Sequence, residues 1–490
     1  MTDRNAIRPG RLFPLVFLPL AFVLLLIYSS STSPLYISEG FDSLTFKTIG
    51  LGIVQGKLPY ADLFDHKGPL IFYIDALGIS LGGTAGIFML QVLSMWASLF
   101  LIWKTVSLFT DRKTSFWLTV LTLIPLADFI VEGNQCEEWM LPFISLSLYL
   151  AFSWFTGGDR QSVHPAWRSL VYGISFSFLF FLRPNDAVAS IGAIMTGVFL
   201  ALIVRKLYRN AFFNVLAFLA GCILVAAPVM AFFEARGILG DMLEGTIFYN
   251  IRYSSAVTFG NFGWGMVIIP LIIAGSLIWF CFRDVRLSPL NFILVPYLLF
   301  TLLLIGKRDY YHYLIPIVPY VAVFFAMCLN GNMKKTLVAV SVLFALGSFQ
   351  QQKTLVGNIV SRDLVKETYV QAGRLFSMVP EEDRNSVWNF NLWKTGQLDE
   401  ISLAAIYYHL GMTPGNRIFV PFHVGNFPDV ERIENNSPEW VLMSPDSFHV
   451  DGVDFIENNY DLVASTGDSL PFEIRLYRIA GDGTAEIACD

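Results

Sequence analysis

Side chains able to do chemistry gather in four short stretches of this 490-residue sequence. Carboxylates stand at Asp42, Asp62, Asp65, Glu132, Glu137, Glu138 and Asp186, cations at Lys67, Arg183, Lys307 and Arg308, and imidazoles at His66 and His312. A carboxylate can take a proton from a hydroxyl, and fixed Lys or Arg can hold a departing anion. Each stretch lies at one end of an apolar run, and the middles of those runs carry essentially no charge. An ion-coupled transporter would hold charges near the bilayer midplane, whereas an enzyme acting on a lipid headgroup would hold them where headgroups lie. The placement fits the enzyme. The competing class, a lipid or glycan transporter or flippase without transferase activity, needs a continuous polar path through the apolar runs, which the sequence does not show.

The elements that must position these groups are membrane helices. Residues are 54% hydrophobic and 15% charged, with 44 Phe and a mean hydropathy of +0.56, which excludes a set of ordinary soluble domains. Five cysteines without CxxC spacing exclude a disulfide framework and a zinc ribbon. Residues 1–349 carry 23 Lys+Arg against 18 Asp+Glu, and residues 350–490 carry 10 against 21. An acidic C-terminal part and a lipid-embedded body offer no basic face to nucleic acid.

Spanning the hydrocarbon layer takes roughly 20 apolar residues in a helix. Eleven stretches are expected to do so: Leu12 to Tyr28, Ala85 to Trp103, Ser115 to Val131, Met140 to Phe155, Leu170 to Leu182, Val188 to Val204, Phe212 to Phe233, Met266 to Phe282, Phe292 to Ile305, Tyr313 to Leu329 and Thr336 to Phe349. With the N-terminus cytoplasmic, 15 of the 23 Lys and Arg fall in cytoplasmic segments, in keeping with the positive-inside bias. Eleven crossings then place the C-terminal part outside. The expected fold is a polytopic α-helical membrane protein of about 11 transmembrane helices with a long first extracytoplasmic loop, plus a C-terminal soluble α/β domain. Its division is 1–349 and 350–490. In the latter, helical spacing over Leu364 to Phe376 and Ser402 to Leu410 alternates with strand-like runs at Val387 to Phe390, Ile418 to Phe422, Trp440 to Met443, Leu462 to Ala464 and Ile474 to Tyr477. The first span is read as a retained anchor, because Ser29 to Pro34 offers no A-x-A cleavage site.

The loop from Ser30 to Thr84 is too long to be a simple connector. Asp42 and Ser43 can cap a helix running to about Val54, whose apolar residues would lie against the interface. Pro69 can open a second short helix through Asp75, setting Lys67 and Gly68 at a helix start, where backbone N–H groups attract anions.

Four stretches in order carry a family resemblance: GFDSLTFKTIGLGIVQGKLPYADLFDHKGPLIFYIDALG (40–78), GNQCEEWMLPF (133–143), FLRPN (181–185) and KRDYYHYLIPIVPY (307–320). Together they resemble the bacterial GT-C glycosyltransferases, the group that includes relatives of protein O-mannosyltransferases and lipid A aminoarabinose transferases. The resemblance implies a polyprenyl-phosphate-linked sugar as donor, a glycan, lipid or protein acceptor, and a multi-pass location in a bacterial inner membrane. It identifies Asp42 with the first-loop catalytic Asp, Lys67 with a basic residue that touches the donor phosphate, and Glu137 or Glu138 with the acid opening the fourth span. A sugar phosphate already carries a good leaving group, so transfer needs a base and fixed positive charge. A glycosidase would need two flanking carboxyls instead. Asp42 is accordingly assigned as general base, with Lys67, Arg183 and Arg308 toward the donor phosphate and Asp65, His66, His312 and Tyr313 toward substrate. No resident cofactor is implied; Asp65 and His66 are adjacent donors suited to a divalent cation, short of the ligands a site requires. Each residue also has a plain structural reading. Asp42 suits a helix cap, Lys67 an interfacial lysine, the Glu pair a helix N-terminus, Arg183 and Arg308 the membrane boundary, His312 a hydrogen-bonded structural residue, and Tyr313 an aromatic belt.

Overall fold

The computed structural model describes residues 13–36, 40–130, 132–157, 163–252, 293, 296–297, 311–330, 362–390, 403–417, 419, 433, 435–445, 453–467, 470 and 473–480. The chain divides into two compact units. One comprises Met1–Leu35, His66–Ile71 and Thr84–Leu355, and the other Tyr36–Asp65, Phe72–Gly83 and Val356–Asp490. In chain order the described helices are α1 (Phe17–Tyr28), α2 (Phe41–Val54), α3 (Pro69–Gly82), α4 (Thr84–Val106), α5 (Arg112–Leu121), α6 (Leu123–Phe129), α7 (Cys136–Thr156), α8 (Ala166–Phe180), α9 (Pro184–Ala187), α10 (Ala193–Val204), α11 (Tyr208–Glu234), α12 (Leu239–Leu243), α13 (Val318–Asn330), α14 (Arg362–Phe376), α15 (Leu403–His409) and α16 (Val453–Asn459). Two π-helical turns, Val188–Gly192 and Glu244–Tyr249, and a 3-10 turn, Tyr311–Ile317, join them.

In the first unit, four helical stretches among the described residues are long and apolar enough to cross a membrane: α4, α7, α9 through α10 (Pro184–Val204) and α11. The expected span Ser115 to Val131 is two helices. Pro125 has no N–H to offer Leu121, and the Thr122 hydroxyl turns back to the Thr119 carbonyl at 2.6 Å, so the ladder breaks between α5 and α6. Leu12 to Tyr28, Leu170 to Leu182 and Tyr313 to Leu329 form shorter helices. The spans Met266 to Phe282, Phe292 to Ile305 and Thr336 to Phe349 lie outside the described residues apart from Ile293, Pro296 and Tyr297.

Helices α8 and α11 approach backbone to backbone. A Cβ on Gly173 would stand 2.0 Å from the Phe218 carbonyl oxygen, and one on Gly221 would stand 2.1 Å from that of Leu170. Small residues permit this close crossing, which dispersion alone can hold in lipid. The remainder of α11 is apolar and outward-facing, with Phe212, Ile223 and Leu224 each about 60% exposed. Such a face is stable against hydrocarbon, not water, which locates the chain in a membrane.

Where α8 begins, a buried polar cluster joins it to α11. Asn214 donates from Nδ2 to the carbonyls of His164 at 3.0 Å and Asn210 at 2.8 Å, which leaves its oxygen facing His164 Nδ1 at 2.7 Å and the Ser169 hydroxyl at 2.6 Å. The ring nitrogen therefore carries its proton at Nδ1. Burial pushes the His164 imidazole down to about 4, the Asn214 hydrogen bond opposing. The folded chain thus refuses a proton that the unfolded chain accepts near pH 6.5, so this stabilisation is complete above that pH and is lost as pH falls toward 4. Wild type is expected to lose about 2 kcal/mol of stability between pH 7 and pH 5 from this group. Thermal unfolding in detergent at the two pH values, with His164→Asn removing most of the difference, checks this.

The second unit contains a four-stranded sheet of order β1-β2-β4-β3, with β1 Trp388–Phe390, β2 Trp440–Met443, β3 Tyr460–Ser465 and β4 Arg475–Ile479. The pair β1 and β2 is parallel and the other two pairs are antiparallel, with a bulge between Leu462 and Ala464. Strand β2 is buried at all four positions, which is why its sequence is an unbroken apolar run rather than an alternation. The run Ile418 to Phe422 lies outside the described residues except Phe419. Helix α2 differs from expectation. Gly40 is its N-cap with no side-chain hydrogen bond, Asp42 is already inside the first turn, and Ser43 through Gly50 are all buried. It is a packed helix, not one lying on the interface. Helix α3 likewise runs past Asp75 to Gly82.

Candidate functional site

Two adjacent glutamates open α7, and the helix turns them to different tasks. Gln135 caps the helix; its backbone N–H donates to Glu138 Oε1 at 3.0 Å, completing a capping box. Glu138 Oε2 accepts from Gln91 Nε2 at 3.3 Å, and Gln91 Oε1 accepts from the Thr32 hydroxyl. Glu138 is therefore committed to the buried polar seam between α4, α7 and residues 29–33. Glu137, one residue earlier and about 100° round the helix, pairs with Arg183.

Arg183 is the centre of the site. It occupies the N-cap position of α9 in an extended conformation, where Pro184 supplies the first helical residue without an N–H to satisfy. Asp186, one turn on, brings Oδ2 to 3.1 Å from Arg183 Nη1. That oxygen lies outside hydrogen-bond geometry, so the contact is ionic. The Tyr313 ring covers the guanidinium face, Cζ lying 3.6 Å from the ring centroid, and His312 meets Tyr313 edge-on at 4.7 Å. Burial disfavours the Arg183 charge, but Asp186, Tyr313 and Glu137 outweigh it and hold the group above its ordinary range. Glu137 and Asp186 thus more than offset the single charge of Arg183, which they enclose together with the Tyr313 ring.

The second cation is Lys67, and its turn is docked on the same segment. Gly68 N–H donates to the Leu182 carbonyl at 3.0 Å and Leu70 N–H to that of Phe181 at 3.1 Å, the two residues before Arg183. A Cβ at position 68 would stand 2.1 Å from the Phe181 oxygen, so only glycine admits this approach. Asn250 Nδ2 donates to the His66 carbonyl at 2.7 Å, the Tyr249 ring packs on His66 with centroids 5.5 Å apart, and Lys67 Nζ lies 3.5 Å from His66 Nε2.

Of the residues chosen from sequence, the first unit brings together Glu137, Arg183, His312 and Tyr313, and anchors His66 and Lys67 to the strand of chain that leads into Arg183. Asp42 and Asp65 belong to the second unit, Asp42 half-buried in the first turn of α2 and Asp65 buried. Arg308 lies outside the described residues, as do Lys307, Asp309 and Tyr310. Among the described residues no group of three or more His, Cys, Asp or Glu is arranged to hold a metal ion, so Asp65 and His66 gain no third ligand there. Sequence reasoning passed over Asp186 as a site residue, although its spacing three after Arg183 was readable. It also passed over Gln91, a polar residue inside an apolar span whose oddity was the signal, and Asn250, which carried none.

Residues 12–370 match the family model described as "Putative competence-induced protein Ccs4 N-terminal domain". No curated protein matches the chain. Among solved structures it is similar to ArnT from Cupriavidus metallidurans, both bound to undecaprenyl phosphate (TM-score 0.61, 11% identity, covering 95% of this chain and 98% of that one) and in the apo state (TM-score 0.60, 11% identity, 94% and 97%). At that identity the likeness establishes the fold alone, a helical arrangement like that of ArnT.

Two outcomes follow for stability. Gly68→Ala forces the Lys67 turn off the Phe181–Leu182 backbone and is expected to destabilise by about 2 kcal/mol or more, read as a lowered unfolding midpoint in detergent. Glu138→Ala is expected to cost about 1–3 kcal/mol, because it strands the Gln135 N–H and Gln91, while Glu138→Gln, which keeps an oxygen for Gln135, costs less. Equal midpoints for the two Glu138 variants would contradict the capping role.

Proposed function

We propose that this chain, which belongs to the Ccs4 N-terminal domain family, is an integral membrane glycosyltransferase that moves a monosaccharide from polyprenyl phosphate to an extracytoplasmic acceptor. The observation that carries the reading is the docking of the Lys67 turn on the backbone leading into the Arg183 cluster. It fixes a lysine beside the C-terminal end of α8, and we read that lysine as the one that meets a lipid headgroup's phosphate. The fold likeness to ArnT, whose crystal structure contains undecaprenyl phosphate, supports a donor of the same chemistry.

Asp42 acts as general base. It takes the proton of the acceptor hydroxyl while that oxygen forms a bond to the anomeric carbon, and the bond from that carbon to the phosphate oxygen breaks. Polyprenyl phosphate departs with the bonding pair and the sugar is inverted. Lys67 and Arg308 hold the departing phosphate. Arg183 acts differently from the sequence reading: with Glu137 and Asp186 on it, it braces the wall that Lys67 leans on. Of the two glutamates, Glu137 belongs to the site and Glu138 to the scaffold. His66, Asp65, His312 and Tyr313 line the approach of the sugar. The N-terminus is cytoplasmic and residues 350–490 are extracytoplasmic, in a bacterial inner membrane.

The test is incorporation of labelled sugar from a panel of polyprenyl-phosphate monosaccharides into acceptor in liposomes. Asp42→Asn is expected to lower kcat by about 100-fold or more, with donor binding retained. Lys67→Met is expected to weaken donor binding. Full transfer by Asp42→Asn removes the base; movement of lipid-linked sugar across the bilayer with no transfer by wild type overturns the enzyme.

A further inference from the structure

Within the second unit, the segment that carries Asp42 is gripped by Asn385 and residues 408–417. Helix α2 is 14 residues long and its N-cap, Gly40, offers no side-chain hydrogen bond. A helix that short does not hold itself in water. Its other end is held by three side chains. Gln55 donates from Nε2 to the Gly411 carbonyl at 2.8 Å and accepts from the Thr413 hydroxyl at 3.3 Å. Lys57 donates from Nζ to the Pro414 carbonyl at 2.9 Å and lies 3.5 Å from that of Asn385. Arg417 donates from Nε to the Tyr60 carbonyl at 2.6 Å, and its own carbonyl accepts the Phe64 N–H at 2.7 Å. On the flank of α2, Lys47, fully buried, places Nζ 4.9 Å from the centroid of the Tyr408 ring on α15.

The backbone at the grip is itself strained. Tyr60 adopts φ +69° although it carries a large side chain, and its ring is fully buried, meeting Phe72 at 5.8 Å between centroids. A bulky residue stays in the left-handed region only where its surroundings leave it no alternative. Arg417, bonded to the Tyr60 carbonyl, is part of what determines it. Lys57 is half-buried, and that burial holds its ammonium below its ordinary range against the opposing pull of Asp62.

We propose that Lys57 and Arg417 are positioning residues, and that Asn385 and residues 408–417 are the frame that holds α2, and with it Asp42, in the orientation the transfer step uses. This rests on the reading of Asp42 as base. It gives the C-terminal segment a part in the reaction: it fixes the direction from which the carboxylate meets the acceptor hydroxyl, without touching either substrate.

The experiment compares the full-length wild-type chain with Arg417→Met and Lys57→Met in detergent. Amide hydrogen exchange is followed over residues 41–54 and over β2 and β4 as an internal control, alongside transfer kinetics and binding of polyprenyl phosphate alone. In both variants exchange over residues 41–54 is expected to quicken on the order of tenfold, with β2 and β4 unchanged. Transfer kcat is expected to fall about 10- to 100-fold while polyprenyl-phosphate binding stays within about twofold. Unchanged exchange over residues 41–54 in both variants overturns the proposal. So does equal loosening of the sheet, which would show that these residues hold the unit together rather than the helix, and so does a loss confined to donor binding. If wild type performs no transfer, the function fails but the exchange comparison still decides whether the frame exists.

Discussion

A guanidinium removed from water stays charged only if other groups replace its hydration, and Arg183 has two carboxylates and an aromatic face for that purpose. Much of the first unit can be understood as meeting this requirement. Glu137 reaches Arg183 because α7 starts at Cys136, and α7 starts there because Gln135 and Glu138 cap each other. Asp186 reaches it because Pro184 opens a helix with Arg183 at its cap. Tyr313 lies over it because a 3-10 turn precedes α13. Removing Arg183 would leave two carboxylates facing each other without a cation, which is far costlier than the pairs are stabilising. The cluster is therefore rigid by necessity, and the Lys67 turn is docked on the backbone that leads into it.

Lipid imposes the second condition, that backbone groups find partners within the protein. The Lys67 turn meets it by using the carbonyls of Phe181 and Leu182, which stand at the C-terminal end of α8 where helical carbonyls lack partners. One set of hydrogen bonds thus satisfies the end of a helix and registers the Lys67 turn against it. Glycine at 68 is the sequence trace of that contact, and it explains why the segment reads His-Lys-Gly-Pro: the residue between the lysine and the helix-opening proline is the one pressed on the backbone.

Much of the helical layout was legible in the sequence because apolar length is a strong signal, and α4, α7, α10 and α11 fall on expected spans. Their ends were less so. Hydropathy put the start of the fourth span at Met140 because Glu137 and Glu138 are charged, whereas capping chemistry starts α7 at Cys136. The break in Ser115 to Val131 was invisible to hydropathy and visible in Pro125. Asp42 was read as a cap from residue type, yet Gly40 takes that position, because a cap is defined by backbone geometry that a preference only suggests. The burial of α2 on all sides could not be read at all, since the residues that cover it, such as Tyr408, lie more than 350 positions away. The neighbouring glutamates could not be told apart either: their letters are the same, and only the rotation of about 100° per residue decides which faces the arginine.

Two π-helical turns interrupt the helices of the first unit near the candidate site. Each inserts a residue into a helix, which frees carbonyls that the regular ladder would have used. Val188–Gly192 follows Asp186 directly, and its Ser190 carbonyl is taken up by the Tyr320 hydroxyl at 2.9 Å. Glu244–Tyr249 precedes Asn250, whose Nδ2 lies 3.0 Å from the Thr246 carbonyl and 3.3 Å from that of Gly245 while donating to His66 at 2.7 Å. A single amide group thus serves the irregular helix and the turn that carries Lys67. An irregularity costs stability in a bilayer unless something answers it: Tyr320 answers the first, and Asn250, which also holds the His66 carbonyl, answers the second. At Glu244–Tyr249 the distortion and the candidate site are consequently coupled, because a helix made regular there would satisfy its own carbonyls and change the amide that now holds the Lys67 turn.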